Sequence, residues 1–327
     1  MRNLNPDNIT EAFLHYFEQS SKDSKAGANP DLKETDANPR VMEIMACLAK
    51  HLHAFASEIE LTHDEWNVGV EFLRQVGKKT TPERDEFILL SDVLGLSSLV
   101  DMINNNKDTK KGNRVTKLAL NPTSSSVLGP FYLPNPPNFH FGADLKRDNG
   151  GNLVLVQGKI LDAKTGNPVS NATMDVWQTA PNGMYSSQDA QQEHFNFHGL
   201  LSTKDNGDYG FTTSAPVPYK IPTDGPVGDL LGALGRHAWR PSHLHIIIEA
   251  KGYRTLVTEI FRDGDPFLDE DAVFGVRQDL VLAYKTETAE KFPKEGFDLS
   301  GQVKDDFLQV QLDLVLLPSA YDDFSSS

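Results

Sequence analysis

A change of period part-way along the chain limits what it can fold into. Over roughly the first hundred residues apolar side chains recur at three- and four-residue steps. Beyond about residue 150 they fall instead in short β-branched runs separated by turns. Val41, Ile44, Met45, Leu48, Leu52, Phe55 and Ile59 form an amphipathic stripe about five turns long, behind a Pro39 that suits a first helical turn. Thr10 is placed to cap an earlier helix carrying Phe13, Leu14 and Phe17, and residues 20–38 read as a loop. Thr62 and Glu65 make a capping box for a third helix that Gly77 can end. Thr81-Pro82 should open a fourth running to Gly95, and Ser97 or Ser98 should cap a last short one through Ile103. The polar stretch 104–118 reads as a domain junction.

In the second half, strands are expected at 153–160, 172–179, 243–250, 256–261 and 307–317. Gly207 and Gly210 bracket a hairpin-like piece, and 227–234 suits a short helix. Strands without regular intervening helices predict an α+β chain. Its parts would be a helical N-terminal dimerisation domain (1–118) and an antiparallel β-sandwich catalytic domain (119–327). The helices carry more apolar surface than one short bundle covers, so part should pack on the second domain and part should serve self-association.

The net charge of −15 opposes binding to nucleic acid or to anionic membrane surfaces. No window supplies the ~18 uncharged apolar residues of a membrane helix. The opening Met1-Arg2-Asn3-Leu4-Asn5-Pro6 lacks the apolar core of a secretory signal, and the lone Cys47 cannot make an internal disulfide. Together these favour the cytoplasm. Cys47, on a helix face, is expected as a buried apolar residue rather than a nucleophile.

His243 and His245 precede the β-branched Ile246-Ile247-Ile248 and so fall on a strand, where side chains two apart share a face. Their rings can reach one metal ion, although spacing alone also allows two structural imidazoles. His51 and His53 share that spacing on a helix, where residues two apart diverge by about 200°, and are read as surface or packing residues. Two histidines leave a metal site incomplete. Asp175 or Glu259 could add a carboxylate, and Tyr185 or Tyr219 a phenolate, a hard donor suited to iron(III). Tyr219 sits in a segment stiffened by Pro216, Pro218 and Pro222.

Several stretches resemble the intradiol ring-cleavage dioxygenases: Asp175-Val176-Trp177-Gln178-Thr179, Gly183-Met184-Tyr185, Asp224 to Gly228, Leu234-Gly235-Arg236-His237 and Arg240-Pro241-Ser242-His243-Leu244-His245. Glu86 to Gly95 agrees in the helical half, so the likeness spans roughly residues 40–285. The segments Tyr219 to Gly228 and Asp269 to Val276 are similar to the members that act on hydroxyquinol (1,2,4-trihydroxybenzene), the fungal ones especially.

The resemblance implies a mononuclear non-haem Fe(3+) held by Tyr185, Tyr219, His243 and His245. Tyr219 and His245 would be axial, and Tyr219 would also take a proton from the substrate. Arg240 would stabilise carbanion character on the ring. The pocket would comprise Leu89, Asp92, Val127, Leu128, Gly129, Pro130, Phe131, Ile221, Pro222 and Val273, with Asp92 accepting a hydrogen bond from a third ring hydroxyl. The implied reaction joins an ortho-diphenol and O2, cleaves between the two hydroxyl-bearing carbons and yields hydroxymuconate, which becomes maleylacetate. A homodimer through the N-terminal helices, often with a phospholipid between them, is implied too. Glu259 departs from the many relatives with Gln or His there, and its role is open. The rival readings are a catechol 1,2-dioxygenase and, more distantly, a non-catalytic sandwich that binds without metal.

Overall fold

A computed structural model describes residues 5–22, 38–115, 118–147 and 150–319. The chain divides into two compact units, Met1–Leu73 and Arg74–Ser327.

In the first unit, α1 (Ile9–Lys22) packs on α2 (Pro39–Glu58). Thr10 lies inside α1 rather than capping it, and its hydroxyl sits 3.0 Å from His53 Nδ1. Asn38 caps α2 through the amides of Arg40 and Val41, with Pro39 in the first turn as expected. The stripe on α2 is exposed, from 39% at Met45 to 55% at Leu52. Cys47 is exposed with it, contrary to the expectation of burial, because nothing among the described residues covers its face. The expected loop at 20–38 falls mostly on 23–37, outside the described residues. The capping box forms: Thr62 N donates to Glu65 Oε2 (2.9 Å) and Glu65 N to Thr62 Oγ1 (3.3 Å), opening α3 (His63–Lys79).

Gly77 does not end α3, which continues to Lys79, where Thr80 Oγ1 donates to the Val76 carbonyl. Thr81 and Arg84 pair in a tight turn, so Pro82 opens no helix. Asp85 does so instead, accepting from the amides of Phe87 and Ile88 at the head of α4 (Glu86–Val93). Gly95, at φ +74°, turns the chain into α5 (Leu96–Val115), which runs through most of the expected junction. Ser97 and Ser98 spend their hydroxyls on Ser91 and on the Phe274 carbonyl, so neither caps α5.

The strands form two five-stranded sheets and a small ladder. One sheet holds β1 (Leu153–Asp162), β4 (Asp208–Ser214), β10 (Lys285–Glu287), β11 (Phe307–Gln311) and β12 (Leu314–Leu316). The other runs β3 (His198–Ser202), β2 (Thr173–Trp177), β7 (His243–Glu249), β8 (Leu256–Arg262), β9 (Val281–Leu282). The ladder pairs β5 (Tyr219–Lys220) with β6 (Trp239–Arg240), and α6 (Pro226–Ala233) lies between them in sequence. Most pairings are antiparallel, but β1 meets β11 and β12 in parallel, and β8 meets β9 likewise. Those partners return through long connections, which parallel pairing needs. Gly207 does sit in a tight turn (φ +77°), yet it joins strands of different sheets, so no hairpin forms there.

The core lies between the large sheets. Val154, Val156 and Ile160 of β1 and Phe211 of β4 pack with Met174 and Val176 of β2 and with Leu244, Ile246 and Ile248 of β7. Strand alternation decides the rest. With Leu244, Ile246 and Ile248 facing inward, His243 and His245 must point to the opposite face, where loops bury them.

Candidate active site

Sheet register gathers the groups. His245 pairs across β7 with Trp177 on one side and Glu259 on the other. The Trp177 ring stacks on the His245 ring, centroids 4.7 Å apart and planes within 2°. The β5–β6 ladder sets Tyr219 opposite Arg240. Tyr185, on the loop after β2, stands edge-on to Tyr219, their hydroxyls 3.4 Å apart. Tyr219 approaches His243 (ring centroids 5.5 Å), and Tyr185 approaches His245 (6.3 Å). All four rings are buried.

The two Nε2 atoms lie 3.1 Å apart. His243 Nδ1 is 2.7 Å from the Pro241 carbonyl and must donate there, so in a neutral ring Nε2 carries the lone pair. Burial first, then the charges of Arg240 and His245, hold His243 well below the usual imidazole range. Burial pushes His245 down to about 4. Both rings are therefore neutral donors at physiological pH. Burial raises both phenols above the ordinary tyrosine range, Tyr185 further because Tyr219 adds to the effect, and Arg240 opposes the rise at both. Two neutral imidazoles and two phenols, converging in a buried site, are a set that a hard trivalent cation would complete by turning the phenols into phenolates.

Arg240 anchors the other flank. Its Nε and Nη2 donate to the two oxygens of Asp271 (3.0 and 3.2 Å), and Nη1 lies 2.8 Å from Glu259 Oε1 and 3.1 Å from His243 Nε2. Burial alone would lower this guanidinium, but Asp271 and Glu259 outweigh it and hold it well above its ordinary range. Ser126 Oγ donates to Glu259 Oε2 (2.6 Å). Burial favours the protonated form of Glu259, and the charge of Arg240 and the surrounding hydrogen bonds reverse this, leaving it an anion. His243, His245 and Glu259 thus form a buried trio whose ligand atoms lie within 4.8 Å of one another. Asp175 is not part of it: its oxygens accept from Tyr132 Oη (2.9 Å) and pair with His198 Nε2 (2.8 Å), behind Trp177.

The expected pocket residues are unevenly placed. Leu89, Val127, Phe131, Ile221 and Val273 are buried, whereas Leu128 is 37% exposed. Phe131 packs against Tyr185 (5.1 Å). Gly129 lies over His245, where a Cβ would come within 3.5 Å of the imidazole. Asp92 is buried, and neither oxygen makes a hydrogen bond of ordinary geometry among the described residues. Burial pushes it up to about 6, opposed by Ser97 and Arg240. Asp271, Ser126 and the stacking role of Trp177 escape a reading of the sequence. Asp271 and Trp177 stand inside the quoted motifs, but nothing in a linear chain says which acid meets Arg240 or which ring meets His245.

Residues 127–318 match the family profile described as "Dioxygenase", and residues 38–112 match "Catechol dioxygenase N terminus". A hydroxyquinol 1,2-dioxygenase of Rhizobium sp. (strain MTP-10005) is 42% identical over 262 residues, 80% of this chain and 85% of that protein. An intradiol ring-cleavage dioxygenase of Aspergillus niger is 39% identical over 81% of this chain and 82% of its own length. The structure of a hydroxyquinol 1,2-dioxygenase from Pseudomonas putida DLL-E4 superposes with TM-score 0.72 at 39% identity, covering 94% of this chain and all (100%) of that one. The chain belongs to the intradiol ring-cleavage dioxygenases, a family of non-haem iron enzymes.

Proposed function

We propose that this chain cleaves hydroxyquinol with O2 between the carbons bearing the 1- and 2-hydroxyls, using one Fe(3+) held by Tyr185, Tyr219, His243 and His245. The supporting observation is the convergence of two imidazole Nε2 atoms, 3.1 Å apart, with two buried phenols whose oxygens lie 3.4 Å apart. When bound, the ferric ion would chelate the ortho-diol as a dianion and draw electron density from the ring toward reaction with O2. Both atoms of O2 enter the ring-opened diacid, and no reductant is consumed.

The protein's own groups supply the rest. Tyr219, a phenolate when it holds the metal, takes one of the two substrate hydroxyl protons at its phenolic oxygen and a hydroxide takes the other, since a phenolate with a reference pKa of about 10 is a competent base for a metal-acidified phenol. Arg240, clamped by Asp271 and Glu259, presents a permanent positive charge to carbanion character on the ring. Leu89, Val127, Phe131, Ile221 and Val273, with Leu128, Gly129, Pro130 and Pro222, form walls for a flat ring. Asp92 accepts from the third hydroxyl, which catechol lacks, and so favours hydroxyquinol.

The exposed stripe on α2 supports a homodimer through the N-terminal helices with a phospholipid against that apolar surface. No helix among the described residues is long and apolar enough to cross a membrane, and the lone cysteine suits the cytoplasm. Anaerobic titration with hydroxyquinol and with catechol, then O2 and product identification, tests the reading. Hydroxymuconate or maleylacetate is expected at higher turnover than cis,cis-muconate. Preferential catechol cleavage would make this a catechol 1,2-dioxygenase, and native protein without iron would favour a binding module.

A further inference from the structure

Glu259 is the one acid in the buried cluster whose two oxygens are treated differently. Oε2 is held by Ser126 at 2.6 Å. Oε1 sits 2.8 Å from Arg240 Nη1, 3.4 Å from His243 Nε2 and 3.5 Å from His245 Nδ1, yet forms no hydrogen bond of acceptable angle. His245 Nδ1 is likewise buried without a hydrogen-bond partner among the described residues. Oε1, ion-paired to Arg240 but without a hydrogen bond of ordinary geometry, therefore lies 3.5 Å from the unpartnered His245 Nδ1, in a register that pairs Glu259 directly with His245. The Gly275 backbone lies against Oε2, so that a Cβ there would come within 2.8 Å of it. Trp177 holds the other face of the imidazole.

We propose that Glu259 is a positioning residue: it receives His245 Nδ1–H, leaves Nε2 as the donor toward the iron, and adds a buried negative charge beside the site. The inference rests on the ligand reading above. A histidine ligand that passes its other N–H to a carboxylate is oriented, locked in one tautomer and made a stronger donor. Charge bookkeeping agrees. Arg240 carries one positive charge against the two negative charges of Asp271 and Glu259, leaving one buried anionic charge that a cation at the imidazole pair would offset. Toward His245, Glu259 Oε1 approaches the Nδ1 edge, whereas the two histidines face each other through Nε2; its 3.4 Å approach to His243 Nε2 is shared with Arg240 Nη1, and the metal titration separates a ligand's partner from a ligand.

The test uses the full chain stripped with a chelator and titrated with Zn2+ alone by calorimetry, and the same chain loaded with iron(III) for its phenolate-to-iron absorption band. Glu259→Gln should weaken Zn2+ binding about tenfold to a hundredfold. It should also move the band to longer wavelength, because losing the anion makes the iron a better acceptor. Ser126→Ala, which loosens the carboxylate without removing it, should move both readouts by less than E259Q does. If E259Q does not fold, Glu259→Asp decides, with a smaller shift in the same directions expected. Unmoved affinity and band in the variant, or equal effects in S126A, would reduce Glu259 to a packing partner of Arg240 and overturn the proposal. Complete loss of Zn2+ binding in E259Q would overturn it too, by making the carboxylate a direct ligand. A wild-type protein without a phenolate band would instead sink the ligand set itself.

Discussion

Two His-x-His pairs stand in this chain, and the same spacing leads to opposite outcomes. On α2, His51 is exposed, while His53, half-buried, turns to Thr10 and lies edge-on to Phe13 at 5.9 Å. On β7, His243 and His245 bring Nε2 atoms within 3.1 Å of each other. A helix rotates the second side chain about 200° from the first, whereas a strand returns it to the same face. Burial then separates the pairs further. The β7 pair is buried where every charge needs an answer, while the apolar stripe of α2 is exposed among the described residues. Ligand spacing acquires meaning only once the period of the backbone is known.

The sharpest break of this comparison is His245→Ala, which should abolish iron retention and lower ring cleavage by more than the ten- to hundredfold typical of losing a ligand's hydrogen-bond partner. Metal analysis alongside turnover checks it. His51→Ala and His53→Ala should leave iron content and turnover within about twofold, and iron lost from either helix variant would undo the contrast.

Next in size, Arg240→Ala strands Asp271 and Glu259 as buried unpaired carboxylates and should cost about 3–5 kcal/mol in denaturant unfolding. Arg40 pairs with Glu43 on the open face of α2, with both side chains 69% exposed, so Arg40→Ala should produce no resolvable change.

Asp92 sharpens the comparison through pH. Its acid is pushed up to about 6 from an ordinary 3.8, so the folded state holds the proton more tightly than the unfolded chain. Stability from this group is greatest below the ordinary value and is lost as pH rises through about 6. Asp92→Asn should therefore raise stability by ~2–3 kcal/mol at pH 7–8, with the gain fading below about pH 4. A gain independent of pH would point to packing instead. Asp92→Ala should lower turnover of hydroxyquinol about tenfold to a hundredfold more than that of catechol, and equal losses would refute its part in selectivity.

The smallest effect is expected at the stripe itself. On the proposed homodimer with lipid against this stripe, Leu52→Lys should shift the chain toward monomer in light scattering and deplete extractable lipid, with turnover per chain almost unchanged; an unaltered oligomeric state would refute that dimer face.

Much of the architecture was legible because local periodicity reports local structure: the stripe behind Pro39, the capping box at Thr62–Glu65 and the alternation around His243 all formed as read. Helix ends were less legible. Asp85 rather than Thr81-Pro82 opens α4, since a cap depends on which side chain reaches the free amides, and α5 starts directly after Gly95 without a hydroxyl cap from Ser97 or Ser98. Burial on α2 could not be read at all, because an amphipathic pattern says which face is apolar and not what covers it.

The order of residues by itself determined the helix-then-strand division, the shared face of His243 and His245, and the motifs that mark the family. Only the tertiary structure decided that Glu259 lies beside His245, that Asp271 grips Arg240, that Asp175 turns away, and that Trp177 stacks on the imidazole. The physical reason is that those relations depend on strand register and loop closure. Both are set by burying the sandwich core as a whole, and no short window of sequence contains that sum.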